Sequence, residues 1–326
     1  MAVTDPSARR TLGHSGLAVS ALGLGGAGLG GHHYGAVSER EAVETVQRAL
    51  ELGIDYVDTS PAYGDSERRI GLALSELSGL RERVVISSKT GTHPLHRGYD
   101  AETTRRSVAD SLQQLQTDQI DLLFVHDPRP EQFWQALGRG GALEALEDLK
   151  AQGVIRAIGL GVRDHGLLLE ATQSQRFDVL LTFLDCTLVN TSATNDLLPS
   201  AAKSNIGVVN GSALAMGLLS GAHPRQFFRE TLTWAGEEWP EVALAQELWQ
   251  WAQDGQHDLK AYALQFSLLE PRIHSTLVGA KTPKEIEQIV LAASAITSDS
   301  AWQDIHRVRT TFQTTFPDTT GTQERS

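Results

Sequence analysis

Eight short apolar runs, each separated from the next by helical periodicity, constrain this chain more than any other feature. They are VSALGLG (19–25), DYVDTS (55–60), VVISSK (84–89), IDLLFVH (120–126), IRAIGLG (155–161), DVLLTF (178–183), IGVVNG (206–211) and STLVG (275–279). Most are rich in β-branched residues and lack strict polar–apolar alternation, the pattern of parallel strands covered on both faces. Strands alternating with helices from end to end predict an α/β fold whose sheet closes, a (β/α)8 barrel of the TIM type. The 326 residues suit one such domain, 1–326, since barrels run to ~250 residues plus insertions.

Helix ends are legible too. Ser38 and Glu41 form a capping box ahead of the stripe Ala42, Val43, Val46, Ala49 and Leu50, and Gly53 ends it. Leu143, Leu146 and Leu149 repeat the stripe before Gly153. Thr282, Pro283 and Glu285 take the N-cap, N1 and N3 places of a last helix. Residues 1–18 supply a tail and a β-hairpin with a Ser-Gly turn, within RRTLGHSGLAVSAL, ahead of the first barrel strand. The segment 221–240, GAHPRQFFRETLTWAGEEWP, interrupts the rhythm and reads as an insertion, either covering a substrate or packed as a surface loop. Residues 317–326 read as a flexible tail.

Composition narrows the function classes. Hydrophobic residues make up 40% and charged residues 21%, as in a soluble globular protein. No apolar run reaches the ~18 residues of a membrane helix. The start, MAVTDPSARR, has no apolar segment behind it and does not read as a secretory signal. Cys186 is the single cysteine, so no intrachain disulfide forms, and a cytoplasmic location is the expectation. A net charge of −12 speaks against nucleic acid or an anionic membrane as partner. The expected partner is a small-molecule substrate, bound by a monomer or small homo-oligomer, and no metal ligand set is assigned.

In a barrel the C-terminal strand ends form the active face. Asp58 ends the second run and Tyr63 follows it; Lys89 ends the third and His126 the fourth. Each alone has an ordinary explanation: a cap, a structural histidine, a snorkelling lysine. Together on neighbouring strands they make a proton-transfer device. A free tyrosine titrates near pH 10, too high for efficient exchange at neutrality. A buried ammonium beside it stabilises phenolate and is expected to lower that value. Asp58 balances the ammonium, and a neutral imidazole can hold a substrate oxygen near the phenol. The accompanying hydride must come from a cofactor, since no side chain supplies one.

The runs GIDYVDTSPAYGDSERRIG (53–71), ISSK (86–89) and IDLLFVHDP (120–128) resemble the aldo-keto reductase family. The resemblance extends from RTLGHSGLAVSALGLGG to GAKTPKEIEQI, nearly the whole chain. It implies NAD or NADP lying across the C-terminal face, Tyr63 as general acid/base, Lys89 and Asp58 as its tuning pair, and His126 as the substrate-orienting residue. The loop GLGGAGLGGHHYG, the stretch DVLLTFLDCTLVN and LLPSAAKSNIGVVNGSALAMGLLSG resemble the sugar-oxidising branch, the L-galactose and aldose 1-dehydrogenases. That branch oxidises the anomeric carbon to a lactone and reduces NAD.

The chain departs from the family pattern around the nicotinamide. Many relatives carry Ser-Asn after the fifth strand, where Gly161 and Val162 stand here, and a stacking Tyr in the sixth-strand segment, where Cys186 falls. Holding the carboxamide then passes to backbone groups or to Thr182, Asp185 or Asn190. The loop Gly211, Ser212, Ala213, Leu214, Ala215, Met216, Gly217 resembles the one that folds over the pyrophosphate, and its small residues let N–H groups approach phosphate oxygens. NADP-preferring relatives place Lys and Arg where Gly279 and Glu285 stand. An acidic group repels a 2′-phosphate and accepts from a ribose hydroxyl, which favours NAD; Lys281 and Lys284 nearby leave NADP as the alternative.

The sequence reading is an NAD-dependent dehydrogenase acting on an aldose at C1. Its alternatives are an NADPH-dependent aldehyde or ketone reductase, a dehydrogenase of a pyridoxal-type alcohol, and a non-catalytic nicotinamide sensor, since folds do not fix functions. The intact tetrad weighs against the sensor. The expected pocket walls are His32, His33 and Tyr34, Asp127, Trp134, and Trp234 or Trp239.

Overall fold

In the computed structural model, which describes residues 4–31, 35–76, 79 and 81–315, a two-stranded hairpin precedes a closed barrel. The hairpin pairs β1 (Arg9–Thr11) with β2 (Ala18–Ser20) antiparallel. The barrel strands are β3 (Leu22–Gly25), β4 (Tyr56–Asp58), β5 (Val85–Thr90), β6 (Ile120–His126), β7 (Ile155–Gly161), β8 (Val179–Phe183), β9 (Gly207–Gly211) and β10 (Ser275–Gly279). They are parallel and in chain order, and β10 closes onto β3.

The run 19–25 divides at Ala21 rather than forming one strand. The Ser20 N–H donates to the Asp55 carboxylate (2.7 Å), and Ser20 Oγ donates to the Leu22 carbonyl (2.6 Å). These bonds turn the chain from hairpin into barrel. Leu12, Leu17 and Val19 of the hairpin pack among inward-facing barrel residues, including Tyr56, Leu122, Val179 and Leu277, and plug its N-terminal end. Gly13 makes the fit possible. It has φ +51°, and a Cβ there would lie 2.4 Å from the Asn205 carbonyl oxygen.

Helices cover the barrel: α1 (Glu39–Glu51), α2 (Ser66–Ser75), α3 (Ala101–Leu115), α4 (Pro130–Leu137), α5 (Ala142–Ala151), α6 (His165–Ser174), α7 (Leu197–Lys203), α8 (Pro224–Thr231), α9 (Pro240–Gly255), α10 (Leu259–Leu268), α11 (Pro283–Ala293) and α12 (Asp299–Thr315). The capping box of Ser38 and Glu41 is formed, and α1 buries Ala42, Val43, Val46 and Ala49. At α11 the Thr282 hydroxyl accepts the Glu285 N–H (3.2 Å), while the Glu285 carboxylate reaches past the N-cap to the Lys281 N–H (2.8 Å). Burying these stripes against the outer wall of the barrel, at about 25 cal/mol per Å² of apolar surface, is the main stabilising contribution of the helices. No helix among the described residues is long and apolar enough to cross a membrane.

The segment 221–240 forms α8, a 3-10 turn at Thr233–Ala235 and the first residue of α9. Phe228 and Leu232 anchor it in a separate apolar cluster with Leu218, Leu248 and Ile305. The Phe227 ring lies over Gly217, in the loop after β9.

Candidate active site

Strand alternation decides what the barrel mouth presents. Residues two apart on a strand share a face, so counting from the interior residues Tyr56, Val85, Phe124, Ala157, Leu181, Val209 and Leu277, and on β3 from Gly23, which pairs with Leu277, gives the last inward position of each strand. Around the rim these are Gly25, Asp58, Lys89, His126, Gly161, Phe183, Gly211 and Gly279. The neighbours β4, β5 and β6 carry Asp58, Lys89 and His126, whereas the neighbours β9, β10 and β3 all end in glycine. One arc holds the chemistry and the facing arc is bare.

The charged arc is tightly wired. Lys89 Nζ donates to Asp58 Oδ2 (2.6 Å) and to the Thr59 carbonyl (2.7 Å). Ser87 Oγ donates to Asp58 Oδ1 (2.7 Å), and the Tyr56 hydroxyl lies 3.0 Å from Ser87 Oγ. Tyr63 sits in the loop after β4, its N–H on the Ser60 carbonyl (3.0 Å). The Gly26–Gly30 turn crosses directly over that loop: a Cβ on Gly30 would stand 1.6 Å from the Tyr63 carbonyl oxygen. Lys89 Nζ is 4.9 Å from the centre of the Tyr63 ring, and the His126 ring stands edge-on to it at 6.2 Å. The structure thus brings all four predicted residues together.

Burial governs their titration. It pushes the Tyr63 phenol above its ordinary value; Lys89 pulls the other way, and Asp58 adds to the rise. The sequence argument expected a net lowering, and desolvation reverses it, because Asp58 has already balanced the ammonium. Burial opposes the Lys89 charge, yet Asp58 and Tyr63 outweigh it and hold the ammonium above its usual range. Burial, with Lys89 and Arg163 nearby, holds His126 well below 6.5, so its imidazole is neutral at neutral pH.

The bare arc leaves space at the mouth at two of its glycines. A Cβ on Gly279 would meet nothing within 4 Å, and one on Gly25 would first meet the Val278 carbonyl at 3.4 Å. A Cβ on Gly161 would make ordinary contact with Leu181 at 3.6 Å, whereas one on Gly211 would be crowded by the Thr182 carbonyl oxygen (3.2 Å) and the Phe183 ring (3.3 Å). In the following loop Ser212, Ala215, Met216 and Gly217 all have positive φ, and the turn closes on itself: the Ala215 N–H donates to the Ser212 carbonyl (2.8 Å), that of Met216 to Ser212 Oγ (2.9 Å) and that of Gly217 to the Leu214 carbonyl (2.9 Å). Nine non-glycine residues have positive φ among the described ones. Gln116, Gln175, Asn205 and Gln256 terminate helices; Asp127, Leu184, Ser212, Ala215 and Met216 all follow C-terminal strand ends. Strain gathers on the face expected to bind.

Other predicted residues lie as follows. Cys186 is 0% exposed within the apolar wall, and burial pushes its thiol up to about 12. It cannot face a nicotinamide; the inward aromatic of that segment is Phe183, three residues earlier. Thr182 points outward and donates to Asp185 (3.0 Å), and Asn190 Nδ2 donates to Glu241 (3.4 Å). Val162 is buried. Asp127 Oδ2 lies 3.6 Å from Arg163 Nε, and the Arg163 cation stands 5.7 Å from the centre of the Phe183 ring. Ala213 is buried and Leu214 half-buried in the loop after β9; the Lys281 chain runs along Gly28. Trp134 is 57% exposed on α4 and Trp234 is 58% exposed beside Trp239. His32, His33, Tyr34 and the tail 317–326 lie outside the described residues. Sequence reasoning missed Tyr56, Ser87, Phe183 and Arg163; counting by twos along each strand from Asp58 and Lys89 finds the first two.

His93, His96 and Asp110 cluster in the manner of metal ligands. However, His93 Nδ1 accepts the N–H groups of Leu95 and His96 (3.0 Å each), which places its proton on Nε2, toward Asp110. A metal would need that nitrogen bare. The group instead ties the loop after β5 to α3.

Residues 21–310 match the Aldo/keto reductase family model, and the chain belongs to that family: it is an oxidoreductase of the nicotinamide-dependent kind. It is 34% identical to L-galactose dehydrogenase of Arabidopsis thaliana over 296 residues, 89% of each chain. It is 31% identical to pyridoxal 4-dehydrogenase of Microbacterium luteolum (91% of this chain, 96% of the relative) and 30% to D-threo-aldose 1-dehydrogenase of a Pseudomonas species (95% and 98%). The crystal structure of a chain described as an aldo-keto reductase from Pseudomonas aeruginosa superposes with TM-score 0.66 at 28% identity, covering 90% of this chain and 96% of that one.

Gly279→Phe tests the bare arc, because its side chain would occupy the mouth without disturbing a packed neighbour. Its affinity for NAD, measured by quenching of protein fluorescence, should fall about tenfold or more, which is ~1.4 kcal/mol. Unchanged affinity with an unchanged melting temperature would place the cofactor elsewhere.

Proposed function

We propose that the protein is an NAD-dependent dehydrogenase that oxidises an aldose at C1 to its lactone, with Tyr63 as the proton-transfer residue. The carrying observation is the rim: a wired Asp58–Lys89–Tyr63–His126 arc faces an arc of glycines. Three similar chains that span this one almost entirely are named as dehydrogenases, and two of the three act on sugars.

A nicotinamide on the glycine arc supplies the hydride acceptor. Gly161, Gly211, Ser212, Ala213, Leu214, Met216 and Gly217 would hold its nicotinamide and phosphate portions, and Gly279, Lys281 and Glu285 its adenosine end. The remaining chemistry belongs to the chain. The substrate hydroxyl gives its proton to the Tyr63 phenolate as its C–H bond breaks and the C=O bond forms. Lys89 stabilises that phenolate, Asp58 keeps Lys89 charged and placed, and neutral His126 holds the same oxygen by a hydrogen bond. Asp127, Trp134 and Trp234, with His32, His33 and Tyr34, are the proposed substrate contacts.

Glu285 supports NAD. It puts a negative charge at the start of α11, where a 2′-phosphate would be repelled. Steady-state kinetics with both cofactors check this: kcat/KM should be higher with NAD, and the reverse order would sink the assignment. A second reading has its own support. Because burial raises the Tyr63 value, the neutral phenol dominates at neutral pH and is a ready proton donor for carbonyl reduction.

A panel of free aldoses and pyridoxal-type alcohols with NAD, followed by absorbance of the reduced cofactor, tests the leading reading. At least one aldose should be turned over, and Tyr63→Phe should lose ~10²–10⁴-fold in kcat while still binding NAD. Silence across the aldoses at high pH would count against it.

The pH profile carries a sign. Oxidation needs phenolate, so its rate should rise with pH on an alkaline limb, and neutral His126 should add no limb near 6.5. Lys89→Met removes the charge that favours phenolate, so the alkaline limb should move to higher pH. An unmoved limb would show that Lys89 is not the tuning charge.

A further inference from the structure

A neutral histidine has two tautomers, and only one presents N–H at Nε2. What selects between them in His126 is the atom facing Nδ1. That atom is the Thr92 hydroxyl, 2.6 Å away. Among the described residues this nitrogen is the hydroxyl's only hydrogen-bond partner. If Nδ1–H donated to the hydroxyl, the hydroxyl's own proton would have no protein acceptor. If the hydroxyl donates, both groups are satisfied.

Thr92 is held for this purpose by the loop after β5. Its backbone bridges Arg97 in antiparallel fashion, and the Gly98 N–H closes onto the Gly91 carbonyl (3.1 Å). His93 Nδ1 accepts two backbone N–H groups inside the loop, and His96 reaches Asp110 on α3 at 3.0 Å. The Tyr99 hydroxyl donates to the His126 carbonyl (2.7 Å), so loop and strand end are joined at the side chain and at the backbone. The loop reads as a bracket that presents one hydroxyl to one ring nitrogen.

We propose that Thr92 is the positioning residue for His126: its hydroxyl donates to Nδ1, which places the ring proton on Nε2 for donation to the substrate oxygen. This rests on the orienting role given to His126 above. The Nε2–H form stabilises negative charge developing on that oxygen; the other tautomer offers only a lone pair there.

The test pairs Thr92→Val, close in shape but without a hydroxyl, with Thr92→Ser, which keeps one. Nitrogen NMR of ring-labelled histidine in the full chain reads the tautomer, with His126 assigned by loss of its signal in His126→Gln. Wild type and Thr92→Ser should show Nε2–H, and Thr92→Val should shift toward Nδ1–H. With a substrate from the panel, Thr92→Val should lose roughly tenfold in kcat, less than the ~10²–10³ for deleting an oxyanion donor outright. KM and NAD affinity should change little, and Thr92→Ser should restore most of the loss. Nδ1–H in the wild type, or Nε2–H unchanged in Thr92→Val, would overturn the proposal without any assay of turnover. Full activity in His126→Gln would instead remove the role of His126 and leave the tautomer result standing.

Discussion

The buried ion pair between Lys89 and Asp58 is the interaction on which the mouth of the barrel depends. Removing either charge from water costs several kcal/mol, and their attraction recovers this only when the remaining hydrogen-bonding capacity is met. Here it is met: Asp58 also accepts from Ser87, and Lys89 also donates to the Thr59 carbonyl. The pair cannot drift, because its members are adjacent strand ends in a closed sheet. Burial sets the direction in which Tyr63 and His126 shift, and the pair adjusts it. The phenol feels an ammonium already matched by a carboxylate, and the imidazole is kept neutral beside a cation.

The same sheet sets up the opposite arc by omission. A parallel strand that ends inward on glycine can leave room above it, as Gly279 and Gly25 do on two neighbouring strands, while at Gly211 the missing side chain makes way for the Phe183 ring. The loop after β9 continues this theme with left-handed residues, and the Phe227 ring of α8 braces it at Gly217. The long segment between β9 and α9 therefore acts on the mouth through packing, from an apolar cluster of its own.

Much of this was legible in the sequence, for identifiable reasons. The eight apolar runs located the strands because parallel strands are buried on both faces. Ser38, Glu41, Thr282 and Pro283 marked helix starts because capping is local chemistry. The tetrad was legible because each member ends a strand or follows one. What escaped depends on relations across the fold. Ala21 splits a run because Asp55, from another segment, claims the Ser20 N–H. Cys186 matched a family position by eye, but the left-handed turn at Leu184 rotates the chain so that Cys186 enters the wall and Phe183 keeps the mouth. The direction of the Tyr63 shift needed the depth of burial, which no motif encodes. Thr92 lies in a loop whose path only the Tyr99 and His93 bonds reveal.

The hairpin plug has a consequence for the phenol. With the base of the barrel sealed, the tetrad is a blind cup whose contact with water lies on the mouth side. Any molecule that covers the mouth therefore completes the dielectric around Tyr63. The acidity of that phenol is then a property of the complex, so ligand and protein set the proton affinity jointly, and each ligand would find a differently tuned acid.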